Sequence, residues 1–260
     1  MKTIVVSNQK GGVGKSAVAT QMAYYMADKL GLRTLVIDLD NQRNTTKPLS
    51  QSGMIKEAAP ASHYFLDKST ALPSSNFTLI PGDDGLAALG KKEAMANTFA
   101  SNFRNLLARA SESYDICIID TNPFPDIRLT SALVSANFVI SPIQLNQEAI
   151  DGIGKLRTDI RNIKERLNPE LQMIGLVPNL VTPTPFQKSN FAEITKHYGA
   201  LLIKLKSGGF AHLKERTAVA EAQAAAKPIY SMTKTSAREA WKEWEDLFSH
   251  VAAVMGVSKQ

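Results

Sequence analysis

One cysteine in 260 residues removes two function classes at the outset. Cys117 lies inside an apolar run, so the chain has no disulfide framework and no cysteine-based metal site, and it lacks the thiolates that hold an iron–sulfur cluster. Long apolar runs are missing too. None approaches the ~20 residues needed to cross a bilayer, and the run inside MKTIVVSNQKGG is too short for a signal peptide. We therefore expect a reducing, cytoplasmic compartment. Internal repeats are absent, and at 44% hydrophobic residues the composition is neither collagen-like, coiled-coil nor disordered. The length suits one large α/β domain or two small ones.

Acidic residues are scarce late in the chain. Residues 1–150 hold 14 Lys and Arg against 13 Asp and Glu, whereas residues 151–260 hold 16 against 11. The later part thus carries +5 of the net +6. Such a surplus suits a polyanion, DNA above all, or else a solvated basic surface.

Short apolar runs at 3–6, 34–37, 116–119 and 138–140 read as buried strands, with further candidates at 78–80, 174–177 and 201–203. Helical patterns alternate with them. Residues 16–30 place Val18, Met22, Tyr25, Met26 and Leu30 on one face, with Gly31 as a cap. Ile150, Ile153, Leu156, Ile160, Ile163 and Leu167 step by three or four before Pro169. Ser236 and Glu239 have the spacing of a capping box ahead of Trp241, Trp244, Leu247, Phe248, Val251 and Met255. The stretch 45–75 reads as a loop with short helices. Continuous apolar strands between helices predict an α/β fold with a mostly parallel sheet covered by helices on both faces.

The densest chemical signal is SNQKGGVGKSAVAT, residues 7–20, between a strand and a helix. Gly11, Gly14, Lys15 and Ser16 follow the phosphate-loop pattern G-x-x-x-x-G-K-[ST], except that Gln9 stands at its first position. Glycines let successive backbone N–H groups turn inward around a phosphate, and the helix adds its positive end. Lys15 would sit on the β- and γ-phosphates and Ser16 would offer its hydroxyl to Mg²⁺. Lys10 is a second lysine, and two lysines crowd one phosphate tail.

K-G-G-x-G-K-[ST] resembles the deviant Walker A loop of the ParA/MinD superfamily of P-loop ATPases. LVIDLDNQRNTT (35–46), YDICIIDTNP (114–123), ANFVISPIQLNQEAIDGI (136–153) and the late segment 215–243 resemble further family motifs, so the likeness spans nearly the whole chain. The ParA branch fits best. The resemblance implies an ATP hydrolase, weak without its partner, that uses ATP and Mg²⁺. It also assigns Lys10 to the partner protomer's nucleotide, reached across a homodimer interface. Lys10, Gly11, Gly12, Val13, Gly14, Lys15, Ser16 and Ala17 would form the nucleotide loop.

The same resemblance makes Asp40 the residue that orients or activates the attacking water near Mg²⁺, and Asp120 the Walker B aspartate. With Lys10 and Lys15 these are the expected catalytic groups, and Ser16, Asp40 and Asp120 the expected metal site. Asp38 would support the metal through water or the local backbone. Asn179 follows a strand and reads either as an adenine contact, as in some relatives, or as an ordinary turn residue. Two positions depart from the family pattern: Asn41 replaces a usual proline and Ala17 a usual Thr or Ser.

Between residues 155 and 238 there are 14 basic against 6 acidic residues. Lys155, Arg157, Arg161, Lys164 and Arg166 lie on or beside the polar face of one helix. By resemblance, Lys204, Lys206, Arg216, Lys234 and Arg238 are candidates for sequence-independent DNA contact. Because the loop begins near residue 8, we expect one ATPase domain over 1–260 with no N-terminal helix-turn-helix extension. The implied function is ParA-type partitioning of plasmid or chromosome: ATP closes a dimer, the dimer binds DNA, and a centromere-binding ParB-type partner stimulates hydrolysis. The protein would then be nucleoid-associated. The alternative is a MinD-like switch on a membrane surface. It needs a basic amphipathic C-terminal helix, whereas Glu239, Glu243, Glu245 and Asp246 make this one acidic, so no membrane partner is expected.

Overall fold

A computed structural model describes residues 1–67 and 69–259. Seven strands form one parallel sheet: β1 Lys2–Val6, β2 Thr34–Asp38, β3 Lys56–Glu57, β4 Phe77–Ile80, β5 Ile116–Asp120, β6 Phe138–Ile143 and β7 Gln172–Pro178. The helices are α1 Lys15–Tyr24, α2 Thr46–Gln51, α3 Ala61–Leu66, α4 Gly85–Leu89, α5 Ala96–Ala110, α6 Ile127–Ser135, α7 Gln147–Arg166, α8 Pro185–Tyr198, α9 Thr217–Ala224 and α10 Thr235–Met255.

The strand order is β3-β4-β2-β5-β1-β6-β7, with every neighbouring pair parallel. The central strands are buried on both faces, which is why they read as unbroken apolar runs. Alternate residues serve opposite faces. Ile4, Val6, Val36 and Ile118 pack against Val18 and Met22 of α1 and Trp244 and Phe248 of α10. Val5, Leu35, Ile37 and Ile119 pack against Phe99 and Phe103 of α5 and Leu129 of α6. The expected α/β architecture, with helices on both faces, is what the chain adopts.

Local expectations fared unevenly. The helix drawn over 16–30 is α-helical to Tyr24 and then widens into a π-turn, Tyr25–Lys29, before Gly31 at φ 69°. The strand expected at 201–203 is absent: a 3₁₀ turn, Gly199–Leu201, precedes a lone bridge from Leu202 to Leu176. Apolar burial against β7 accounts for that run without a ladder. The capping box is corrected as well. Helix α10 starts at Thr235 with Lys234 at its N-cap and no side-chain cap, while Glu239 is taken by Arg216. The stretch 45–75 holds α2 and α3 as expected, plus the two-residue edge strand β3.

The apolar face of α10 is committed to the core: Trp244, Leu247, Phe248 and Val251 are all buried. Among the described residues, no helix is long and apolar enough to cross a membrane.

Candidate functional site

In an open parallel sheet, ligands gather beyond the carboxyl ends of the strands, where neighbouring connections part to opposite sides. Here that place is the end of β1, whose neighbours are β5 and β6. Three segments converge there: the loop after β1, the turn after β2, and the end of β5. Together they wall a cavity of about 510 Å³, lined by the loop between Gly11 and Ala17, the turn from Asp40 to Asn44, Pro123, Phe124 and Gln223.

The loop is shaped by glycine where the backbone demands it. Gly12 has φ 75° and Gly14, the N-cap of α1, has φ 87°. A Cβ on Gly14 would also lie 2.1 Å from the Asn179 Nδ2. That nitrogen donates to the Val13 carbonyl at 2.8 Å, so Asn179 braces the loop from behind. It is buried and does not line the cavity. The position was legible in sequence, but the structure gives it a loop-bracing contact. Gly14→Ala is expected to cost about 1–3 kcal/mol, from left-handed strain plus the clash, read as a lower urea midpoint. Gly14→Ala with Asn179→Ala should recover the clash but not the strain.

The two lysines part company. Lys15 is buried; its Nζ donates to the Lys10 carbonyl at 3.1 Å, and it lines the cavity. Burial pulls its ammonium below the usual lysine range, with the Asp120 and Asp40 carboxylates working against that. Lys10 turns the other way. Its Nζ pairs with Glu148 near the start of α7 and donates to Asn146 Oδ1, the N-cap of that helix, at 3.3 Å. The backbone beneath is pinned: Asn8 Oδ1 accepts from the Lys10 N–H at 2.8 Å, and Asn8 Nδ2 donates to the Pro142 carbonyl at 2.8 Å. Burial and the N-cap partner thus separate two residues that composition treats alike.

The carboxylates are arranged by register. Asp38 and Asp120 are direct partners on adjacent parallel strands, and both are fully buried. Burial pushes both carboxyls up, and for Asp120 the Asp38 carboxylate adds to that push. Asp38 accepts from the Asp40 N–H at 3.0 Å, the Thr46 N–H at 2.9 Å and the Thr46 hydroxyl at 2.7 Å. It therefore folds the turn that presents Asp40. Asp120 Oδ2 accepts from the Thr45 hydroxyl at 2.8 Å, and Ser16 also bonds this carboxylate. Among the described residues, Asp120 Oδ1 is buried with no hydrogen-bond partner. Asp40 is nearly buried on the cavity wall, its Oδ1 accepting from the Gln42 N–H at 2.9 Å.

The DNA candidates are not brought into one class. Lys204, Lys206 and Arg238 are exposed, and among the described residues none has a carboxylate partner. Arg216 is different: its guanidinium is spent on Glu239 at 2.7 Å and Glu243 at 3.0 Å. Lys234 pairs with Glu221 at 2.7 Å on an exposed surface. Residues that sequence reasoning missed are Thr45, Thr46, Asn146, Glu148 and Gln223. All five stood inside stretches that resemble family motifs, yet nothing in those stretches singled them out.

Comparison with known proteins agrees with this geometry. An AAA domain family model matches residues 1–173. Protein IncC of Escherichia coli is 32% identical over 269 residues, covering 100% of this chain and 71% of IncC. The chromosome-partitioning ATPase Soj of Thermus thermophilus is 29% identical over 204 residues, covering 76% of this chain and 78% of Soj. A Cyanothece McdA variant in complex with ATP has the same fold, with a TM-score of 0.80 at 19% identity over 100% of this chain and 98% of that one. Likeness to IncC along the whole chain, joined to a phosphate loop with two lysines, places the protein in the ParA/MinD superfamily of deviant Walker A P-loop ATPases, on its ParA-type branch.

Proposed function

We propose that this ATPase is a DNA-partition switch in which two protomers close around ATP and the closed pair binds DNA without sequence preference. The observation that carries the reading is the placement of Lys10. One lysine enters its own cavity, and the other points out of it onto the α7 face, where a second protomer can present a terminal phosphate. The reading treats 1–260 as one ATPase domain.

The site's chemistry suits phosphoryl transfer to water. Such a reaction needs charge neutralisation and an in-line nucleophile more than covalent help. Lys15 and the N-terminus of α1 face the phosphates, and Asp40 holds the attacking water. The residues also fit Mg²⁺: the donors are hard oxygens, and among the described residues the buried Asp120 Oδ1 accepts no hydrogen bond, which leaves it open to a cation or its water. Ser16 and Asp120 would hold the ion directly or through its water, beside Asp40. When bound, it neutralises charge on the β- and γ-phosphate oxygens. Asn179 is committed to the Val13 carbonyl and stands outside the cavity lining, so we assign the base no residue.

Lys204, Lys206 and Arg238, with Lys234 once Glu221 yields it, supply the DNA face; Arg216 supports α10 instead. A ParB-type protein as hydrolysis partner and a location on the nucleoid follow from the same reading. The membrane-surface alternative is disfavoured by the buried apolar face of α10. The test is a DNA mobility shift with ATP, ADP or no nucleotide. Binding is expected with ATP alone. Raising salt from 50 to 200 mM should weaken it by ~10³-fold, as counterion release at several phosphates requires. Tight binding without nucleotide would remove the switch.

A further inference from the structure

Helix α1 carries a buried glutamine whose partners all lie far along the chain. Gln21, six residues beyond Lys15, is fully buried. Its Oε1 accepts from the Ile229 N–H at 2.9 Å. Its Nε2 lies 3.4 Å from the Lys227 carbonyl and 3.3 Å from Gln223 Oε1. A backbone N–H can only donate and a carbonyl can only accept, so these two groups fix which way the Gln21 amide faces. Gln21 must then offer N–H to Gln223, and Gln223 must answer with its oxygen.

This leaves the Gln223 amide nitrogen with both hydrogens, and among the described residues it has no partner. Gln223 lines the phosphate-loop cavity together with Lys15, Asp40 and Asn41. A neutral donor there shares one cavity wall with the phosphate loop and with the turn that presents Asp40. We propose that Gln223 is a further nucleotide contact, donating its side-chain amide to the terminal phosphate, and that Gln21 is the positioning residue that holds it in that sense. The proposal rests on the cavity being the nucleotide site. Nothing local in the sequence marks the pair, since the two residues are 202 positions apart.

The test is competition of ATP and of ADP against a fluorescent ATP analogue, with melting temperature as the folding control. A hydrogen bond to a charged phosphate oxygen sets the scale. Gln223→Ala should lose about tenfold in ATP affinity and under twofold in ADP affinity. Gln223→Glu should lose more for ATP, because its carboxylate opposes the phosphate. Gln21→Leu should shift the ATP-to-ADP ratio in the same direction while Gln223 is intact, which a purely structural role would not do. Equal losses for both nucleotides, or no loss in a folded Gln223→Ala, would overturn the proposal. Wild-type protein that binds neither nucleotide would instead overturn the reading of the cavity.

Discussion

Lys10→Ala is expected to abolish ATP-dependent pairing of protomers, and DNA binding with it, while nucleotide binding falls far less. The cation is available for a partner because its present contacts are weak. Its pair with Glu148 joins a side chain 31% exposed to one 79% exposed, and solvent screens such a pair. A phosphate oxygen enclosed between two protomers offers a charge-assisted bond of about 1.5–3 kcal/mol. A two-fold symmetric pair holds two such lysines, each making the contact once. Removing both therefore costs about 3–6 kcal/mol, or ~10²–10⁴-fold in the pairing constant, at 1.4 kcal/mol per tenfold. Sedimentation with a non-hydrolysable triphosphate and Mg²⁺ measures this directly. A Lys10→Ala protein that pairs and binds DNA as wild type does would sink the assignment. Lys15→Ala makes the useful contrast, since that lysine lies inside its own cavity and its loss should show first in nucleotide affinity.

That division between the lysines shows where sequence stops being legible. The loop itself could be read, because glycines with positive φ and a lysine before Ser16 are local requirements of a phosphate cradle. The central strands could be read because burial on both faces leaves only apolar residues. Strand β3 could not: Lys56 and Glu57 are both exposed, and two edge residues carry no pattern. The run 201–203 misled for the opposite reason, since burial of Leu202 and Ile203 looks the same in a turn as in a ladder. Charge counting weighed all late basic residues equally. Pairing does not, since Arg216 and Lys214 both engage carboxylates of α10. Long-range side-chain choices of this kind, like Asn179 on Val13 across 166 positions, are set by the assembled sheet and not by neighbours in the chain.

Asp40→Ala is expected to cut ATP hydrolysis by ~10²–10⁴-fold, the usual worth of a positioned proton acceptor, while ATP is still bound. The three strand-end acids are not interchangeable, and their hydrogen bonds say why. Asp38 spends its oxygens on the Asp40 and Thr46 N–H groups and the Thr46 hydroxyl, so its replacement disturbs the turn as a whole. Asp120 keeps an oxygen with no hydrogen-bond partner among the described residues, so under the proposed reading its replacement should act through the cation. Asp40 alone stands on the cavity wall with one oxygen bonded only to the next turn of backbone, at Gln42. Removing it deletes a negative charge near a polyanion, which should hold or tighten ATP binding as turnover falls. The two effects together predict a protein that stays paired on DNA once ATP has bound, where wild type is released as it hydrolyses. Single-turnover phosphate release and a DNA dissociation time course read both. If Asp40→Ala hydrolyses ATP at the wild-type rate, the water is held elsewhere; if turnover falls because ATP binding is lost, Asp40 serves nucleotide binding and not the nucleophile.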